Sequence, residues 1–329
     1  MMNLNNKTVL ISRIDSIGDV VLTLPLCIWI KENFPQCKII FLGNTYTKPV
    51  ISCLPQVDEI IEWKYLQTFP LQEQVALIKK LSIDVCLHVF PKKEIARLVK
   101  HANITTRVGT SHRLFHWFTC NKLLNFSRKK SSLHESQLNF MLLKPFGLTS
   151  IPNLDEIAIM MQHFKAPNID LPEDLKTTLQ DDKPKVILHT KSQGSAVEWP
   201  IEKYTVLANL LLEKGYQVYY TGTEEEGKLI RTHIPNHPSC FDTTGKMSLY
   251  QLIHFISKCQ TLVACSTGPM HLSGILGLKT IGLFSPKRPI HPGRWSALGK
   301  NIINVVAEEK DMQTLAAISV NQVADAILK

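Results

Sequence analysis

One carboxylate, three hydroxyl-rich turns and a block of cations are the parts of this sequence that could do chemistry. The apolar run Val9 to Ile14 breaks at Ser16-Ile17-Gly18-Asp19 and restarts as Val20 to Ile30, a pattern of strand, tight turn and helix. Asp19 then stands at the carboxyl end of a strand, the edge where open α/β sheets bind ligands. Two roles are open to it: capping the helix that follows, since Asp is a preferred N-cap, or acting on a ligand held at that edge.

A second cluster lies in the other half of the chain. The strand-like Leu262-Val263-Ala264-Cys265 runs into Ser266-Thr267-Gly268-Pro269-Met270-His271-Leu272. A glycine turn with hydroxyls before it and a proline after it, entering a helix, presents backbone N–H groups to an anion; an ordinary strand-to-helix turn capped by Ser266 would look similar. His271, alone in the first helical turn, is more often structural than functional. A further turn, Thr190 to Pro200, offers Lys191, Ser192 and Ser195 to a phosphate or sugar. Thr221-Gly222-Thr223-Glu224 places a carboxylate where it could accept from two ribose hydroxyls. Three such loops in one domain describe a nucleotide pocket. No P-loop and no G-x-G-x-x-G is present, which disfavours a Walker-type kinase and a standard dehydrogenase. Without D-x-D, H-E-x-x-H or clustered His and Cys, a catalytic metal is not indicated.

The formal net charge of +9 is concentrated. Between Pro91 and Lys130 lie ten basic residues, Lys92, Lys93, Arg97, Lys100, Arg107, Arg113, Lys122, Arg128, Lys129 and Lys130, against one acid, Glu94. This window carries the whole excess. A charge run is often only a solvated face, but a surface without a partner normally mixes its signs. The concentration points to a polyanionic partner: nucleic acid, an anionic membrane or a phosphorylated substrate.

These residues need elements to hold them. The 329 residues suit two domains. Strands are expected at Lys7–Ser12, Lys38–Leu42, Glu59–Glu62, Ile83–Val89 and Thr105–Val108, then at Lys185–His189, Gln217–Thr221, Ser239–Asp242, Thr261–Ala264 and Thr280–Phe284. Helical patterns such as Val20–Asn33, Leu71–Lys80, Glu94–His101, Ile201–Lys214, Glu224–His233 and Leu249–Cys259 alternate with them. Near-continuous apolar strands between helices imply parallel sheets covered on both faces. The expectation is an α/β protein of two doubly wound, Rossmann-like domains, 1–165 and 166–329, facing a central cleft. Proline-rich Ile151 to Pro184 is the connection, and a last helix, Met312 to Leu328, could pack back on the first domain. The longest apolar run is too short to span a membrane, and the polar start shows no secretory signal. Eight scattered cysteines without C-x-x-C read as reduced thiols in a cytoplasmic protein.

Taken together, Ser16-Ile17-Gly18-Asp19-Val20, Gly245-Lys246-Met247-Ser248-Leu249 and Ser266 to Leu272 resemble the signature segments of glycosyltransferase family 9, the lipopolysaccharide heptosyltransferases. His134-Glu135 before an apolar helix and Glu198-Trp199-Pro200 fit the same order. The resemblance implies a GT-B fold and an inverting, metal-independent transfer of heptose from ADP-heptose to a phosphorylated lipopolysaccharide core or lipid A acceptor, with no cofactor. It makes Asp19 the general base and carries donor contacts onto Glu224, Met247, Thr267, Gly268 and His271, beside Lys191, Ser192, Ser195 and Ser266. The acceptor side falls to Ser16, Gly18, Lys92, Lys93, Arg97, Arg107 and Arg113. Two departures stand out. Ser266 replaces an aspartate common in relatives, and Ala196-Val197-Glu198 lacks their lysine before the Trp-Pro pair. Lys191 and some of Lys287, Arg288 and Arg294, the last three after the strand Thr280–Phe284, are the cations expected to neutralise the leaving diphosphate in its place. The enzyme would work at the cytoplasmic face of the inner membrane, in peripheral contact with it and with no nucleic acid partner. Alternatives are another nucleotide-sugar donor, a sugar-nucleotide epimerase, or a non-enzymatic polyanion-binding module.

Overall fold

The computed structural model describes residues 2–129, 131–308 and 314–329. Lys130 of the basic window and Met312 and Gln313 of the expected last helix lie outside them. The chain divides into two compact units, Met1–Lys165 and Ala166–Lys329.

Each unit is built on one six-stranded parallel sheet. In the first, β1 (Thr8–Ser12), β2 (Lys38–Gly43), β3 (Glu59–Glu62), β4 (Val85–His88), β5 (Thr106–Thr110) and β6 (Lys122–Leu124) lie in the order β3-β2-β1-β4-β5-β6. In the second, β7 (Lys185–His189), β8 (Gln217–Thr221), β9 (Cys240–Asp242), β10 (Thr261–Cys265), β11 (Lys279–Phe284) and β12 (Ile302–Val306) lie in the order β12-β11-β10-β7-β8-β9. Both follow the same doubly wound path, whose direction of winding reverses between β1 and β4 and again between β7 and β10. Ligands bind at such reversals, beyond the carboxyl ends of the strands.

Central strands are buried on both faces because helices cover both. Val9, Leu10 and Ile11 of β1 are sealed from solvent and every residue of β7, β8 and β10 is buried, so the middles of these segments read as apolar runs. All eight cysteines are free thiols; burial pushes that of Cys265 up to about 12.

Several boundaries differ from expectation for identifiable reasons. The apolar stretch after Asp19 forms two helices, Ile17–Val21 and Leu24–Asn33, rather than one. Pro25 has no N–H to give the Val21 carbonyl, Leu26 N–H turns to the Thr23 carbonyl, and the Leu22 carbonyl accepts from Asn139 Nδ2 at 2.9 Å. The strands β6 and β12, at the sheet edges, were not expected: β6 has three residues, too few to show a period. The presumed connection contains two helices, Leu154–Met160 and Glu173–Leu179. The last helix is Val320–Leu328, started by a capping box between Ser319 and Gln322. It packs on the Ile201–Glu213 helix, β11 and β12, within its own unit.

Candidate active site

In the first unit, β1 delivers the chain to Ser16, the N-cap residue of a five-residue helix that carries Asp19 in its first turn. Ser16 makes no side-chain capping bond. Its hydroxyl donates instead to Asp19 Oδ2 at 2.5 Å, and Arg13 Nη2 donates to Asp19 Oδ1. The Asp19 carboxylate is therefore held by two side chains and is not used as a backbone cap. Its side chain is 16% exposed, enough to meet a ligand at the edge.

Arg13 was not singled out in the sequence, where it only punctuates an apolar run. Its side chain is 3% exposed and joins three carboxylates: Asp19, Asp15 through Nε at 2.6 Å, and Glu135 through Nη1 at 3.3 Å. Glu135, itself 1% exposed, also accepts from Arg128. Arg128 Nη2 donates to the Val89 carbonyl and to Asn139 Oδ1, both at 2.9 Å. Asn139 holds the break behind Asp19, so the His134-Glu135 segment buttresses the Asp19 turn from below. Asp15 lies in the same cluster. Burial lifts its carboxyl to about 6, Arg13 pulls it down, and the Asp19 charge adds to the rise. The Tyr46 hydroxyl donates to the Asp15 carbonyl at 2.7 Å; burial, with help from both aspartates, pushes that phenol up to about 12.

The winding reversal of the second unit lies between β7 and β10, where His189 pairs with Ala264. The chain leaves β7 at Thr190 and β10 at Ser266-Thr267. Thr190 Oγ1 and Thr267 Oγ1 are buried and, among the described residues, make no hydrogen bond. Buried hydroxyls normally find a partner, so two orphans at one sheet edge mark a place for one. Thr267 is the N-cap residue of the Gly268–Ile275 helix yet makes no side-chain cap, and the first N–H groups of a helix have no internal acceptor. His271 is buried in that first turn.

A cavity of about 530 Å³ opens beside this edge, lined by Lys191, Gln193, Glu198, Thr223, Glu225, Glu226 and Leu229. Glu198 organises the β7 loop. It accepts from Lys191 Nζ at 2.9 Å and from the backbone and hydroxyl of Ser192, each at 2.8 Å. Burial pushes its carboxyl up, but those bonds win and leave it below the usual range. Ser195 donates to the Ser192 carbonyl. Glu224 is held by Arg231 in a two-pronged pair, at 2.8 and 2.6 Å, and Arg231 also reaches Asp242. Gly245 folds over it: its φ is +73°, and a Cβ there would lie 2.6 Å from Glu224 Oε2. Met247 follows, half-buried.

After β11, Arg294 is nearly buried, with its guanidinium 5.3 Å from the centre of the Trp295 ring. Burial and the neighbouring charges of Arg288 and Arg294 keep the His291 imidazole below its ordinary value. Lys287 and Arg288 are exposed. The cationic window of the first unit divides in two. Arg107 donates to the Thr119 and Ile104 carbonyls, Lys100 to the Phe118 carbonyl, and Arg128 to the cluster beneath Asp19. Lys93, Arg97 and Arg113 are exposed, and Lys92 pairs loosely with Glu94 at 3.7 Å.

Residues 95–324 match the family model described as glycosyltransferase family 9 (heptosyltransferase). The chain is 24% identical over 289 residues to lipooligosaccharide heptosyltransferase 2 of Haemophilus influenzae, covering 83% of this chain and 82% of that one. It is 22% identical over 291 residues to lipopolysaccharide heptosyltransferase 2 of Escherichia coli, covering 83% and 81%. Among solved structures, a family 9 glycosyltransferase from Veillonella parvula superposes with a TM-score of 0.79 at 20% identity, covering 99% of this chain and 97% of that one. The E. coli heptosyltransferase WaaC with ADP gives 0.76 at 18% identity, covering 98% and 99%. These likenesses and the paired sheets establish a two-domain α/β fold of the GT-B type.

Proposed function

The chain belongs to glycosyltransferase family 9 and is a glycosyltransferase of the heptosyltransferase kind; from that premise we propose that it moves a heptose from ADP-heptose to a phosphorylated, lipid-anchored lipopolysaccharide core, with Asp19 as general base. ADP and ADP-2-deoxy-2-fluoro heptose are the ligands of two solved WaaC structures of the same fold, which supports an ADP-linked donor.

The acceptor hydroxyl oxygen attacks the anomeric carbon of the donor as Asp19 takes its proton. The bond from that carbon to the diphosphate breaks, its electron pair leaves with ADP, and the configuration inverts. The proposal needs no cofactor and no metal, because protein groups meet the departing charge. Thr190, Thr267 and the start of the Gly268–Ile275 helix offer donors to the diphosphate, and Ser266 and His271 flank them. Lys191, held by Glu198 at the β7 loop, and Lys287, Arg288 and Arg294 after β11 supply the positive charge. Glu224, shaped by Gly245 and neighboured by Met247, faces the ribose. On the acceptor side, Ser16 and Gly18 shape the turn, and Lys92, Lys93, Arg97 and Arg113 meet acceptor phosphates. Arg107, engaged with backbone carbonyls, contributes at most its long-range charge.

The observation that carries this reading is the Asp19 carboxylate, held by Arg13 and Ser16 at the carboxyl edge of β1 and left uncommitted to the backbone. A carboxylate must be held to be aimed at a reacting proton. The experiment is ADP release from ADP-heptose with and without a lipopolysaccharide core acceptor, in wild type and Asp19→Asn. Acceptor-dependent release, lost in the variant, is expected. Conversion of the nucleotide-sugar without acceptor would instead indicate an epimerase.

A further inference from the structure

The six-residue helix Leu114–Thr119 exposes three large apolar side chains: Leu114 at 77%, Phe118 at 69% and Trp117 at 61%. Positions i, i+3 and i+4 share one helical face, so the three form a patch. This exposure is built rather than frayed. His116, on the opposite side, is fully buried, and its Nδ1 lies 2.9 Å from the Thr110 carbonyl. Gly109 makes room for it, since a Cβ there would stand 2.6 Å from the same nitrogen. Lys100 and Arg107 hold the Phe118 and Thr119 carbonyls at the other end. The fold therefore fixes this turn and leaves its apolar face outward.

The charge around it narrows the choice of occupant. No acid occurs between Glu94 and Glu135, a span that contains Arg97, Lys100, Arg107, Arg113 and Lys122. A second copy of the chain docking through the same face would oppose like charges, because a twofold interface meets itself. A nucleic acid would use aromatic faces, but Leu114, the most exposed of the three, offers nothing to a stacked base. An anionic bilayer accepts both parts: cations at the headgroups and apolar side chains at the acyl boundary. Trp117 suits that depth, because its indole N–H already donates to the Ser111 carbonyl at 2.8 Å and loses no partner on leaving water.

We propose that Leu114, Trp117 and Phe118 insert into the surface of an anionic phospholipid membrane, with Arg97, Arg113 and Lys122 drawing the first domain to it. The inference rests on the lipid-anchored acceptor above, and it explains how a chain with no membrane-crossing helix among its described residues would reach such an acceptor.

The test is flotation of the full chain with phosphatidylcholine vesicles, with and without phosphatidylglycerol. Wild type should float only with the anionic vesicles, and less as salt rises. The double variant Leu114→Ser/Phe118→Ser should bind roughly tenfold or more weakly, while releasing ADP at the wild-type rate on a delipidated, soluble acceptor. Brominated acyl chains should quench part of the wild-type tryptophan emission, and the quenched part should be missing in Trp117→Phe. Equal flotation of wild type and double variant, capture by phosphatidylcholine alone, or binding to single-stranded nucleic acid but not to vesicles would each overturn the proposal. If vesicles bind as expected but no soluble acceptor is ever used, the transferase reading fails and the membrane surface stands.

Discussion

Arg13 donates to Glu135 at 3.3 Å across 122 residues of chain, and both side chains are nearly sealed from solvent. With Arg128 on the same carboxylate, the pair forms a charged floor under the Asp19 turn. Two guanidinium groups against Glu135 leave one positive charge over, and Asp19 and Asp15 lie where that charge is felt.

Removing the floor should be costly. Glu135→Ala takes from Arg13 and Arg128 a carboxylate they share in a poorly solvated place, while Arg13 keeps Asp15 and Asp19; the loss should approach the roughly 3–5 kcal/mol of a broken buried pair. Urea unfolding should show a loss of that order. A loss under about 1 kcal/mol, the range of exposed pairs, would mean that water reaches the cluster.

Asp19→Asn keeps the shape of the turn and removes the base. Turnover should fall by about 10²- to 10⁴-fold, with donor affinity by calorimetry nearly unchanged. Ser16→Ala should give a smaller fall in turnover, because Arg13 still aims the carboxylate. Loss of donor binding in Asp19→Asn would assign the residue a structural role.

Asp15 gives a pH signature. Its carboxyl is near 6 in the fold, raised by burial, against an ordinary value of 3.8. The folded state thus holds this proton more tightly than the unfolded chain. The group costs nothing below about 3.8; the cost grows with rising pH and is complete above about 6. Asp15→Asn should therefore flatten the fall in stability between those values, by up to about 3 kcal/mol less the bond it weakens at Arg13 Nε. Chemical denaturation across this range measures it. A difference between variant and wild type that does not change with pH would show that Asp15 does not titrate there.

Arg288→Ala and Arg294→Ala should each weaken ADP-sugar binding and turnover, by roughly tenfold or more for the loss of a charge-assisted contact. Arg294 also packs on Trp295, so Arg294→Lys is the companion that separates charge from packing. Unchanged affinity and turnover in both alanine variants would remove these cations from the diphosphate.

Gly245→Ala puts a methyl group where Glu224 now lies, at a φ of +73°. The strain is about 1–2 kcal/mol, and Glu224 must move. Donor affinity should fall in Gly245→Ala and in Glu224→Ala by similar factors, and the double variant should be no worse than either. Additive losses would mean that the two act separately on the donor.

Local pattern carried much of this architecture. Lys185–His189 and Gln217–Thr221 lie in strands with the expected limits because fully buried parallel strands leave near-continuous apolar runs; the half-buried edge strand Glu59–Glu62 also keeps its limits, marked by Ile60-Ile61 between two glutamates. Glycine turns at strand ends likewise located Asp19, Thr267 and Glu224. Partnerships were hidden. Nothing near Arg13 in the sequence names Glu135, and nothing near Lys191 or Glu224 shows that Glu198 and Arg231 already hold them. The first pairing joins segments 122 residues apart, and the other two, each spanning seven residues, depend on how the local chain folds; periodicity encodes neither. The split at Leu22–Thr23 leaves no mark in the pattern, because Val20 to Ile30 is almost unbroken apolar sequence across it, so no period changes there.

The place of β1 in its sheet has a consequence for biogenesis. Its Val9–Ser12 segment pairs with β2 on one side and with Val85–His88 of β4 on the other. In this unit an interior strand, β1, is synthesised well before β4, one of its two partners. At about 5–20 residues per second, one edge of this water-shunning strand waits several seconds for its neighbour to be synthesised. The β7 strand repeats the situation in the second unit, where β10 is made after β8 and β9. Each half of the nascent chain therefore passes through a stage in which its future centre is its stickiest edge, a natural client for chaperones that bind extended apolar segments.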